Sequence, residues 1–131
     1  MTSILVIEDH VVFGKALVRL LTEKANVDVV DVVRSGEEAL AKLAILNVDL
    51  ALIDVSLPTM NGIQLVGMIH SLFPNLPCLM LSGHLTPFYV QRSLEAGARG
   101  YVLKDDIPGV LEGVERVLNG EIYISNALRN Q

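Results

Sequence analysis

Glu8, Asp9, Asp54, Ser82 and Lys104 are polar residues that each follow directly on an apolar run. Glu8-Asp9 comes after Ser3 to Ile7, Asp54 closes Leu50-Ala51-Leu52-Ile53, Ser82 closes Cys78-Leu79-Met80-Leu81, and Lys104 follows Tyr101-Val102-Leu103. Alone, each has a plain structural reading: Asp9 as a helix cap, Ser82 before Gly83 as a turn residue, Lys104 as a solvated strand end. Asp54 resists such a reading, because an acid closing a continuous apolar run sits at the edge of a dry core. Brought together, three carboxylates within ~4–5 Å of one another repel by roughly 4 kcal/mol per pair at an effective dielectric near 20, more than one lysine offsets. A divalent cation is implied, and an all-oxygen donor set suits Mg2+ or Mn2+ rather than zinc. His10, His70 and His84 lack metal-type spacing and are expected in structural or exposed roles.

A carboxylate beside such a cation, with a hydroxyl and an ammonium aimed at the same space, is equipped for phosphoryl transfer. Asp54 would be the nucleophile. The cation and Lys104 would neutralise charge on the phosphoryl oxygens, and Ser82 would donate a hydrogen bond to one of them. An aspartate-based phosphatase would place an acid two positions after its nucleophile, where this chain has Ser56. With no general base at hand, the acyl phosphate should persist, as a signal would.

The elements that must bring these residues together follow from periodicity. Five β-type runs, Ser3 to Ile7, Val27 to Val33, Asp49 to Asp54, Cys78 to Ser82 and Gly100 to Lys104, are mostly Val, Ile and Leu without clean alternation. Such strands belong to a parallel sheet buried on both faces. Phe13, Ala16, Leu17, Leu20 and Leu21 form the stripe of a first helix. Ser35 with Glu38 reads as a capping box opening a second, with Ala39, Leu40, Leu43 and Ala44 on its buried face. A third is expected from about Gly62 to Phe73, a fourth from Thr86-Pro87 to Gly97, and a fifth from about Pro108 to Leu118. The alternation βαβαβαβαβα predicts a three-layer, doubly wound α/β sandwich. In such sheets ligands bind beyond the carboxyl ends of the strands, where the five polar residues lie.

The chain has 131 residues, 51% hydrophobic and 19% charged, with net charge −5. That suits one domain with a continuous core and excludes disorder. Val55 to Gln91 holds no Asp, Glu, Lys or Arg, yet Pro58, Asn61, Gly62, Pro74, Pro77 and Gly83 interrupt it well short of the ~20 apolar residues of a membrane span. No signal peptide is apparent. Cys78, the one cysteine, reads as a buried small hydrophobe, and a cytoplasmic location is expected. Net acidity argues against direct nucleic-acid binding.

The ordered set of Glu8-Asp9, Asp54 within Ile53-Asp54-Val55-Ser56-Leu57-Pro58, Gly62, Ser82, Tyr101 and Lys104 resembles the receiver domain of bacterial two-component response regulators. The resemblance implies a flavodoxin-like five-stranded parallel sheet of order 2-1-3-4-5. It implies Mg2+ bound directly by Asp9, Asp54 and the Ser56 carbonyl, with Glu8 acting through water, and a sensor histidine kinase as phosphodonor. It implies that the protein catalyses only its own phosphorylation and slow dephosphorylation. Phosphorylation would draw Ser82 inward, and Tyr101 with it, altering the surface of helix four, strand five and helix five, a possible homodimer face. The chain departs from the family pattern at Glu8 for the commoner Asp, Ser82 for Thr and Asp105 for Pro.

Leu103-Lys104-Asp105 and Asn119 to Ser125 resemble the subfamily that joins a receiver to a LuxR-type helix-turn-helix. On that basis residues 1–120 are expected to form the receiver and 121–131 the start of a linker to an output domain that would make any DNA contact. On helix four, Val90 and Leu94 are expected inside, leaving Phe88 as a candidate partner contact. Alternatives from other classes are a receiver acting through protein contacts without phosphorylation, and a flavodoxin-like mononucleotide binder. The latter is disfavoured because Glu8-Asp9 would repel a phosphate.

Overall fold

The inner strands of this chain are apolar at successive positions because they are covered on both faces, whereas the edge strand that carries Asp28 and Asp31 is only half-buried. In the computed structural model, which describes residues 1–129, β1 (Ser3–Ile7), β2 (Asp28–Val33), β3 (Leu50–Asp54), β4 (Cys78–Ser82), β5 (Gly100–Leu103) and β6 (Tyr123–Ile124) form one sheet of order β2-β1-β3-β4-β5-β6. All neighbouring strands are parallel. Odd and even strand residues go to opposite cores. Ile4, Val6, Leu50, Leu52, Leu79, Leu81 and Val102 pack with Leu17, Leu21, Val110, Val114 and Val117 of the α1 and α5 side. Leu5, Ile7, Ala51, Ile53, Met80, Tyr101 and Leu103 pack with Ala39, Leu43, Leu65, Val66, Ile69 and Val90 of α2, α3 and α4.

The helices are α1 (Val11–Leu20), α2 (Gly36–Leu43), α3 (Gly62–Leu72), α4 (Pro87–Ala96), α5 (Ile107–Leu118) and α6 (Asn126–Arg129). The α/β sandwich and the 2-1-3-4-5 order of the first five strands are as expected. A π-helical turn, Leu21–Ala25, extends α1 and ends on Asn26 at φ 54°. Ala16 and Ala44, placed on buried stripes by their spacing, are exposed. Ser35 caps α2 by accepting from the Glu38 N–H at 3.2 Å, but the Glu38 carboxylate reaches the Arg34 N–H instead of closing the box on Ser35. The complete capping box is at α3, between Asn61 and Gln64. Cys78 is buried, and burial pushes its thiol up to about 12, so it behaves as a hydrophobe.

The strand count needs correction from five to six. β6 pairs with the outer edge of β5, matching Gly100 with Tyr123 and Tyr101 with Ile124. Beyond it Ser125 is fully buried and Leu128 of α6 joins the core on the α4 side. The segment expected to begin a linker is thus packed as far as it is described, Asn130 and Gln131 lying outside the described residues. Among the described residues no helix is long and apolar enough to cross a membrane.

Candidate functional site

The carboxyl ends of β1, β3, β4 and β5 meet at one end of the sheet. Asp54 and Ser82 are the last residues of β3 and β4, and Glu8 and Lys104 follow β1 and β5. Carboxylate oxygens of Glu8, Asp9 and Asp54 lie within 4.8 Å of one another. Glu8 and Asp54 are buried whereas Asp9 is exposed. The structural role open to Asp9 is taken by its neighbour: His10 caps α1, its Nδ1 accepting from the Phe13 N–H at 3.2 Å. Asp9 is left to face the acids.

Lys104 Nζ lies 2.8 Å from Glu8 Oε1 and 3.1 Å from Asp54 Oδ2. Burial alone would lower the pKa of this ammonium, but the two carboxylates outweigh it and hold it above the usual lysine value. The Phe13 ring lies 4.8 Å from the same Nζ, a cation–π contact from α1. Helical spacing marks Phe13 only as a core residue, so this role has no sequence signal.

Burial, reinforced by Glu8, raises the Asp54 carboxyl to about 6, against the opposing pull of the Ser56 N–H and Lys104. That N–H donates to Asp54 Oδ1 at 3.0 Å. Glu8 Oε2 accepts from the His10 N–H, while the buried Oε1, close as it is to Lys104, receives no directed hydrogen bond. A single ammonium therefore leaves this acid cluster undercompensated. Three convergent carboxylates with one undirected buried oxygen fit a hard divalent cation with oxygen ligands.

Ser82 is buried, and its Oγ accepts from the His84 N–H at 2.9 Å, while its hydroxyl also bonds to the Tyr101 oxygen and opposes the rise in that phenol's pKa caused by burial. Tyr101 is fully buried in this structure and its hydroxyl donates to the His84 carbonyl at 3.2 Å. The exposed Ser56 has its Oγ 3.2 Å from His84 Nε2, and the His84 ring stacks on Tyr89 with centroids 4.5 Å apart. The expected residues Glu8, Asp9, Asp54, Ser56, Ser82 and Lys104 thus cluster at one end of the sheet, with Tyr101 joined to them through Ser82 and through His84. Sequence reasoning did not place His84 in that link, because its partners come from three separate segments.

A family model described as "Response regulator receiver domain" matches residues 4–115. Among curated proteins the chain is similar to the transcriptional regulatory protein DegU of Brevibacillus brevis, 33% identical over 93% of this chain and 52% of the relative. It is 37% identical, over 80% of this chain and 48% of the relative, to the DNA-binding transcriptional activator DevR/DosR of Mycobacterium tuberculosis. The chain spans about half the length of these two relatives. Among solved structures it superposes on a LuxR-family two-component response regulator from Aurantimonas sp. SI85-9A1 with TM-score 0.95 at 24% identity, covering 99% of this chain and 94% of that one. It also superposes on the signal receiver domain of the putative response regulator NarL from Mycobacterium tuberculosis, TM-score 0.85 at 30% identity, covering 92% and 98%.

Proposed function

Because the chain belongs to the response regulator receiver-domain family, we propose that Asp54 accepts a phosphoryl group from the phosphohistidine of a sensor kinase. The observation that carries this reading is the placement of the Lys104 ammonium 3.1 Å from Asp54, beside the convergent carboxylates of Glu8 and Asp9. Ionised Asp54 attacks the phosphorus, the phosphorus–nitrogen bond breaks, and the imidazole leaves with its electron pair. Lys104 exchanges its contact with Asp54 for one with a phosphoryl oxygen, and the Ser82 hydroxyl turns from Tyr101 to donate to another.

Asp9, Asp54 and the Ser56 carbonyl would hold Mg2+ or Mn2+ directly, with Glu8 acting through water. When bound, the cation supplies the positive charge that Lys104 alone does not, against both the acids and the incoming phosphoryl oxygens. The Asp54 acyl phosphate meets no carboxylate at position 56, which supports slow self-hydrolysis and a signalling role in place of turnover of a substrate.

In the whole protein, the reading is of a regulatory half, residues 1–120 with the packed tail behind them, joined to an output domain that binds DNA in a cytoplasmic regulator. Its support is the class of the relatives, transcriptional regulators about twice as long. For self-association the α4 side is the better surface: Phe88 is exposed there, with the Arg92 guanidinium 5.1 Å from its ring, whereas the outer edge of β5 carries β6.

Intact-mass spectrometry after incubation with acetyl phosphate tests the chemistry. A Mg2+-dependent gain of one phosphoryl group, lost in Asp54→Asn, is the expected result. No gain in a folded protein under any metal condition would leave a receiver that works by protein contacts alone.

A further inference from the structure

The turn between β5 and α5, which presents Lys104, is fastened from outside the site. Leu103 ends β5 with its N–H at the sheet edge, where the β5–β6 ladder has just run out: Ser125 N–H donates to the Tyr101 carbonyl, and the next acceptor is the Ser125 side chain. Ser125 Oγ accepts from Leu103 N–H at 3.0 Å and donates to Asp106 Oδ2 at 2.7 Å. The other Asp106 oxygen caps α5 by accepting from Gly109 N–H at 3.0 Å, and the Asp106 N–H donates back to the Leu103 carbonyl. One fully buried hydroxyl therefore ties both ends of the segment Leu103-Lys104-Asp105-Asp106.

We propose that Ser125 is a positioning residue for Lys104: by joining the Leu103 N–H to the Asp106 carboxylate, its hydroxyl sets the turn from which the ammonium reaches Glu8 and Asp54. This rests on the reading of Lys104 as the group that meets the phosphoryl oxygens. The lysine backbone has a second anchor on the site side, where its N–H donates to the Ser82 carbonyl at 2.9 Å. With the strand end held by Ser82 on one side and by Ser125 on the other, the direction in which the lysine stem leaves the sheet is determined. A movement of Lys104 towards a phosphoryl oxygen therefore loads the Ser125 hydroxyl, and with it the segment that continues into α6.

The test compares wild type, Ser125→Ala and Asp106→Asn, the last keeping an acceptor for the α5 cap but presenting an amide to Ser125. Two quantities are read: the rate of phosphoryl uptake from acetyl phosphate with Mg2+, and the 15Nζ resonance of Lys104, assigned by its loss in Lys104→Arg. Expected are a several-fold slower uptake in Ser125→Ala and a Lys104 resonance displaced towards those of Lys15, Lys24 and Lys42. In a Lys104→Ala background the same Ser125 change should slow uptake no further. Unchanged uptake and an unmoved resonance in folded Ser125→Ala would overturn the proposal, as would an equal slowing without the lysine. If Ser125→Ala does not fold, Asp106→Asn carries the same two measurements. A wild-type chain that takes up no phosphoryl group removes the phosphoacceptor reading, and the resonance still decides the role of Ser125.

Discussion

Asp54 is held where an ionised carboxylate is poorly solvated, and its raised pKa ties the charge of the site to stability. With its pKa raised to about 6 in the folded state, well above the ordinary carboxylate range, folding favours the neutral form. The contribution is fully present below about pH 4 and is lost as pH rises through about 6. Asp54→Asn should therefore be more stable than wild type near neutral pH in the absence of divalent metal, by on the order of 1–3 kcal/mol. The gap should close below about pH 4. Urea unfolding at the two pH values measures it, and a mutant less stable than wild type near neutrality would mean that the Lys104 contact outweighs the burial. The residues of this site were legible in the sequence because strand ends in an α/β sheet point to one place. What was not legible is which groups support them: Phe13 under the ammonium, His10 replacing Asp9 as the cap, and His84 between Ser56 and Tyr101.

At the scale of elements, α3 starts hard against β3, the strand that ends in Asp54. The Gly62 N–H donates to the Val55 carbonyl at 2.8 Å, and a Cβ on Gly62 would overlap the Asp54 carbonyl oxygen. Gly62→Ala should cost about 1–3 kcal/mol through forced backbone displacement and slow phosphorylation as Asp54 shifts. Gly67, on the same helix, has open space where a Cβ would go. Gly67→Ala should stabilise by about 0.5–1 kcal/mol and leave phosphorylation unchanged, so denaturant unfolding and uptake rates on the two variants separate close approach from helix propensity. Strands β1 to β5 were found to within about a residue, because a double-sided core writes unbroken apolar runs in β1, β3, β4 and β5, and β2, though broken by Asp31, keeps its paired valines. Capping was read less well, since whether a side chain closes on its own helix or on a neighbour, as Glu38 does on Arg34, depends on backbone direction before the helix. β6 escaped notice because two residues carry no periodicity, and their pairing with β5 is set by a contact across the chain.

For the whole molecule, the acids gathered at one end of the sheet predict a stability that rises with divalent cations. Mg2+ at a hundredfold excess over its Kd should stabilise the chain by about 2.7 kcal/mol, visible as a higher melting temperature that EDTA reverses. An unchanged melting temperature would argue that Lys104 alone balances the three acids. The two edges of the sheet are managed differently. On one side β2 carries Asp28 and Asp31, the latter paired with Lys42 at 3.0 Å, and a charged edge discourages strand addition. On the other, β5 is apolar and buried between the α4 and α5 sides, and β6 pairs along its outer edge. Cut after Gly120, the same fold would present Gly100–Leu103 as a bare apolar ribbon, with the Tyr101 carbonyl and the Leu103 N–H unclaimed. Such an edge is a template for another strand, and β6 with Ser125 occupies it.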